Sequence, residues 1–427
     1  MNVKTFMLGW EFPPFISGGL GTACYGLTRA LDGLGVGVIF VLPRVSASQY
    51  TGSIRMLGAQ DIAESEQAMA AGFKNTKFRT ISSELQPYAK PNSYYRTERT
   101  QRAKAPVYIS GGRTEFETGH YAGDMHTQVY SYAEKVAEIA ANEDFDIVHA
   151  HDWMTYPAAI ATANISGKPL VVQVHSTEFD RSGEHVNQMI YDVERQGMHL
   201  ANKIIAVSNY TKNIITSRYG ISPDKVEVVY NAVDNNVTDC ESADNSAFEK
   251  TGKIVLFLGR ITMQKGPEYF LAAAKKILEV IDKVKFVMVG DGDMAHRMVE
   301  LAAKLGIGQK VFFTGFLRGE DVRRAYKLAD LYVMPSVSEP FGIAPLEALQ
   351  HNVPVLISKQ SGISEILANA LKTDFWDINE MANKIIAVLK HPALRQTLQE
   401  NGSAEIRRFR WEDSAAKVNG IYERMLN

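Results

Sequence analysis

Cysteine is nearly missing: Cys24 and Cys240 are the only two in 427 residues. They lie far apart and match no metal-ligand spacing, so the fold has to rest on apolar cores and suits a reducing compartment. An excess of either charge is missing too, with 46 Lys and Arg against 48 Asp and Glu. The resulting net charge of -2 gives no global pull towards nucleic acid or an anionic membrane. No run of about 20 apolar residues occurs, which argues against a membrane-spanning helix. The apolar stretch at residues 3–10 is too short for a signal peptide, and Glu11, Pro13 and Pro14 follow it. These absences predict a soluble, cytoplasmic protein without a nucleic-acid partner or a membrane span. They leave the oligomeric state open.

What is present is ordinary in bulk and specific in pattern. A chain of this length suits two domains of roughly 200 residues each. Residues 3–10 read as a buried strand that runs into a glycine cluster, Gly18, Gly19, Leu20 and Gly21. A helix at 22–34 and a strand at 36–42 follow, an order that opens a parallel α/β sheet. The pattern weakens between Ser46 and Tyr121, with short strand-like pieces at 77–81 and 106–109. It returns with a helix at 130–142 and apolar runs at 146–150, 170–175, 204–208 and 226–230. Residues 235–252 are polar and turn-rich, as in an interdomain linker. Five β-branched runs follow at 254–258, 285–289, 311–314, 331–334 and 353–357. The fold class expected is α/β, with two Rossmann-like domains, 1–235 and 252–410, facing across a cleft. The amphipathic stretch 411–427 is expected to pack back on the first domain.

Ligands of open parallel sheets bind beyond the carboxyl ends of strands, and the chemistry-bearing residues follow such ends. Arg260 and Lys265 share one strand-to-helix loop, where a planar fork and a point charge can converge on a diphosphate. Two solvated surface cations are the plainer alternative. Glu339, Phe341, Gly342, Ile343 and Glu347 follow the 331–334 strand and open a helix containing Pro345. Backbone N–H groups at such a helix start attract phosphate oxygens. Glu347 lies within reach of ribose hydroxyls and Glu339 of sugar hydroxyls; a helix-end charge and a loop carboxylate are the alternatives. Gly18, Gly19 and Gly21 let the backbone approach a ligand closely, or form only a tight turn. His149, His151, Asp152 and Trp153 end one strand and His175 the next. No carboxylate or cysteine recurs at ligand spacing beside these histidines, so no metal site is expected. The basic stretch 90–104, with Tyr94 and Tyr95 inside it, reads as a solvated loop.

Together these strings resemble the retaining glycosyltransferases of family 4, which have the GT-B fold, and the nearby glycogen and starch synthases. The resemblance covers most of the chain, and the motifs arrive in the family's order. It implies that Arg260 and Lys265 bind the donor diphosphate beside the backbone of Gly18, Gly19 and Gly21. It implies that Glu347 holds the ribose and that Glu339 contacts the transferred sugar. By the same resemblance His175 meets the donor sugar near the reacting carbon, and Asp152 and Trp153 lie on the acceptor side. Phe341, Gly342 and Ile343 would complete the donor site. The expected reaction is transfer of a hexose, glucose foremost, from ADP- or UDP-glucose to a carbohydrate acceptor, with α-glucan elongation favoured. No metal and no cofactor beyond the donor is expected. A family 4 transferase for a small or lipid-linked acceptor, or a nucleotide-sugar epimerase on the same fold, is the alternative. One departure stands out: bacterial ADP-glucose-dependent synthases carry lysine two residues before the paired glycines, where this chain has Ile16.

Overall fold

The architecture is that of a computed structural model, which describes residues 3–13, 18–45, 69–70, 72–83, 125–234 and 252–427. The strand expected at 106–109, the linker at 235–251, Ile16, Cys240 and the basic stretch 90–104 lie outside the described residues.

Seven parallel strands form the first sheet: β1 Lys4–Leu8, β2 Gly37–Val45, β3 Thr76–Ser83, β4 Ile147–His151, β5 Leu170–Val174, β6 Lys203–Ala206 and β7 Val226–Val228. Their spatial order is β3-β2-β1-β4-β5-β6-β7. β4 and β5 are buried at every residue, the signature of a sheet covered by helices on both faces. The second sheet has six strands, β8 Lys253–Leu258, β9 Val284–Val289, β10 Val311–Gly315, β11 Leu331–Met334, β12 Val355–Ser358 and β13 Leu371–Thr373. Its order, β10-β9-β8-β11-β12-β13, repeats the same logic. In each sheet the chain winds outward from its first strand and then returns to that strand's other side. The reversal falls between β1 and β4 and between β8 and β11, which is where a parallel sheet opens a crevice for a ligand. β13 was not expected from the sequence, because Leu-Lys-Thr is short and carries a charge at its centre.

The first helix, α1, spans Gly19–Gly33, so it starts three residues earlier than its apolar pattern suggests. Gly18 caps it without a side chain, and the N–H of Gly21 donates instead to Glu11 Oε2 at 3.3 Å. A carboxylate there also suits the positive end of the helix dipole.

The final helix, Trp411–Leu426, returns to the first domain. Trp411, Ala415, Val418 and Tyr422 recur at helical spacing on one face and belong to the first domain's core. The helix lies so close to α1 that a Cβ added to Gly26 would sit 2.2 Å from the Trp411 ring. Gly26→Ala should therefore force the two helices apart and cost about 1–3 kcal/mol, the usual range for overpacking. A thermal melt checks this: a midpoint within about 1 °C of the parent would show that the contact yields freely.

Candidate functional site

Between the carboxyl ends of the two sheets lies a cleft of about 680 Å³, within the range of ordinary small-molecule sites. Gly18, Gly19, Asp152 and His175 line it from the first domain. Arg260, Lys265, Glu339, Phe341, Gly342, Ile343 and Glu347 line it from the second. Gly18 and Asp152 follow β1 and β4, and Arg260 and Glu339 follow β8 and β11, so both reversal points feed one cavity.

Lys265 Nζ meets Glu339 Oε2 at 2.5 Å, and Ser336 Oγ donates to the same oxygen at 3.2 Å. Lys265 is held in the cleft wall by this pair rather than waving in solvent. Arg260 stands one short 3-10 turn away, its Nη2 donating to Gln264 Oε1 at 3.4 Å. The plainer reading of these cations, as loose surface charges, does not describe this packing.

The helix Ile343–Gln350 begins at Gly342, whose φ of 104° is open to glycine and strained for other residues. A Cβ there would also press on Ile363 and Met334 at 3.1 and 3.3 Å. Glu347 lies one turn inside this helix, half-buried, and accepts a hydrogen bond from Tyr326 at 3.0 Å. Burial raises its carboxyl above the usual range, and the tyrosine bond only partly offsets that.

Asp152 is the strained residue of the site, with φ 61° and ψ 166°, a conformation that costs of order 1–3 kcal/mol outside glycine. Its Oδ1 accepts the backbone N–H of His175 at 2.7 Å and of Ser176 at 3.3 Å. The end of β4 thereby fixes the loop after β5. Burial pushes the Asp152 carboxyl up to about 7, against the pull of these N–H groups.

Two expected residues stand apart. Gly21 is buried within α1 with its N–H committed to Glu11, and the Trp153 side chain is sunk in the first domain's core. Neither lines the cleft; the glycine run enters helix after Gly18, and the chain turns into a short 3-10 segment at Trp153 that packs its indole into the core.

Three features were not read from the sequence. Phe316, Leu317, Arg318 and Gly319 also line the cleft; they follow β10, and the strand-end rule applied to that strand would have found them. Ser338 Oγ donates to Asp180 Oδ1 at 2.5 Å across the domain boundary. Cys24, far away in sequence, lies under the histidines, with one ligand-type atom each of Cys24, His151 and His175 within 4.8 Å. The ground for excluding a metal there, the missing cysteine, is therefore corrected. In this geometry, however, His151 and His175 bind each other, and burial followed by the Asp152 and Glu11 charges raises the Cys24 thiol well above its usual range.

Residues 98–237 match the model of Glycosyltransferase Family 4, and residues 240–405 match that of Glycosyl transferases group 1. An uncharacterized glycosyltransferase of Methanocaldococcus jannaschii is 28% identical over 99% of this chain and 98% of its own length. A glycogen synthase of Mycobacterium tuberculosis is 22% identical over 98% of this chain and 94% of its own. A solved structure of Anabaena HepE in complex with UDP and glucose superposes with a TM-score of 0.68 at 18% identity, covering 99% of this chain and all of that one. With two sheets of GT-B arrangement and two adjoining transferase models, one of Family 4 and one of group 1, spanning most of its length, the chain is a glycosyltransferase of GT-B type.

Proposed function

We propose that this enzyme transfers glucose, with retention of configuration and without a metal, from a nucleoside-diphosphate sugar to a growing α-glucan. One observation carries the reading: Arg260 and Lys265 face His175 and Asp152 across a single cleft. The two cations are a diphosphate site, and the groups opposite have the chemistry of a sugar site. The glycogen synthase similarity over nearly the whole chain favours a glucan acceptor, and the UDP and glucose held by HepE favour a nucleotide-glucose donor. ADP-glucose and UDP-glucose are both candidates, because Ile16 replaces the lysine that marks the ADP-glucose enzymes.

As the bond between the anomeric carbon and the phosphate oxygen breaks, negative charge grows on the diphosphate. Arg260, Lys265 and the N–H groups at the start of the Ile343–Gln350 helix stabilise that charge, fixed in place before the reaction begins. The acceptor hydroxyl approaches on the face the diphosphate leaves, bonds to the anomeric carbon, and passes its proton to the departing phosphate oxygen. Glu347 takes the ribose hydroxyls. Glu339, already beside Lys265, accepts hydroxyls of the sugar while keeping the lysine aimed inward.

Assay with ADP-, UDP- and GDP-glucose and a short α-glucan, reading product length and anomeric configuration by NMR, tests the reading directly. Sugar released from donor without acceptor, or an inverted product, would overturn it. Arg260→Ala and Lys265→Ala should each lower kcat and kcat/KM together by about 10²–10³, since the charge they meet develops in the transition state. Near-normal turnover in either folded variant would remove the diphosphate assignment. Excess chelator should leave activity intact; a loss restored only by Mg²⁺ or Mn²⁺ would show that the two cations do not suffice.

A further inference from the structure

Behind His175 three imidazoles are stacked into the first domain. His175 Nε2 lies 2.9 Å from His151 Nδ1, and the His151 ring stacks on His149 with centroids 4.5 Å apart. His149 Nδ1 in turn meets the Tyr422 hydroxyl of the last helix at 2.5 Å. Burial holds His149 and His175 down at about 3 and His151 well below its usual range, so all three rings are neutral at neutral pH.

A neutral imidazole carries one N–H and one bare nitrogen. Across the 2.9 Å contact one ring must donate and the other accept. If His175 donates from Nε2, His151 has to carry its own proton on Nε2. That atom is buried without a hydrogen-bond partner, and the result is a buried N–H with nothing to receive it. If His151 donates from Nδ1, its Nε2 keeps only a lone pair. An orphaned N–H is the rarer and costlier of the two.

We propose that His151 is a positioning residue that fixes His175 as the Nδ1–H tautomer, so that His175 presents the cleft with a donor and never with a base. Nδ1 is the free nitrogen: it makes no hydrogen bond among the described residues, and the half-buried His175 lines the cleft. The functional part of this rests on the reading that His175 meets the donor sugar. A donor there grips a sugar hydroxyl oxygen and cannot remove a proton, which suits a reaction in which the leaving phosphate takes the acceptor's proton.

Two-bond proton–nitrogen correlation spectra of protein labelled with ¹⁵N-histidine report each ring's tautomer directly. The unliganded native protein should show His175 protonated at Nδ1. In His151→Leu this pattern should collapse to the Nε2–H form or to a mixture, and kcat/KM for the donor should fall about tenfold, the worth of one hydrogen bond. In His151→Asn the side-chain amide stands near the place of Nδ1 and can donate, so the Nδ1–H pattern and most of the activity should return. A native His175 protonated at Nε2 overturns the proposal, even if the leucine variant fails to fold. So does an Nδ1–H pattern that survives in His151→Leu. Spectra that change as expected while transfer is unaffected support the tautomer assignment and overturn the placing of His175 at the donor sugar.

Discussion

One loop of the second domain, 336–342, holds much of the ligand machinery, and it is fastened to the first domain. Ser338 donates to Asp180, while Ser208 and Thr211 donate to the Pro340 carbonyl at 2.6 and 3.2 Å. Asp180 is itself fixed by a reciprocal cap with Thr177, beside the buried ion pairs of Arg181 with Glu178 and Glu194. Breaking such a pair leaves an uncompensated buried charge, a costly state. The placing of Glu339, and through it Lys265, thus depends on a charge cluster that never touches the cleft. A bulk charge near zero conceals this arrangement, because Lys265 stands beside Glu339 and Arg260 beside Gln264.

The sheets were legible because parallel strands buried on both faces leave continuous apolar runs. Arg260, Lys265 and Glu339 were legible as cleft residues because they follow such runs by a few residues, and Glu347 because it sits in the helix that the 331–334 strand's loop opens. What escaped depends on the third dimension. The order of strands leaves no mark on local composition, and the short β13, with lysine at its centre, hardly resembles a strand. Asp180 and Ser338 are 158 positions apart, so neither announces its partner. Cys24 and the histidines meet only because α1 packs against β4 from a different part of the chain. Trp153 misled in the opposite direction: the string His-Asp-Trp reads as one unit, yet a strand end points its neighbours to different places. Asp152 turns to the cleft and the indole to the core.

The histidine stack and the strained Asp152 share one cause. β4 ends at the reversal of the first sheet, where the crevice for a ligand opens. Polar groups are needed there, and burial denies them water, so each has to be paired within the protein. Asp152 takes backbone N–H groups, and His151 and His175 take one another. The rigidity that results is what a preorganised site requires.

The return of the last helix has a consequence for how the molecule is made. Ribosomal synthesis usually lets an N-terminal domain fold before the rest has emerged. Here Trp411, Val418 and Tyr422 belong to the first domain's core, and Gly26 is reserved for the Trp411 ring. That core has an open face until residues 411–426 have been made, whereas the second domain's strands, 253–373, precede them in the chain. The nascent chain therefore carries an unfinished first domain while the whole of the second is being made, and its half-built apolar surface is what a chaperone would meet.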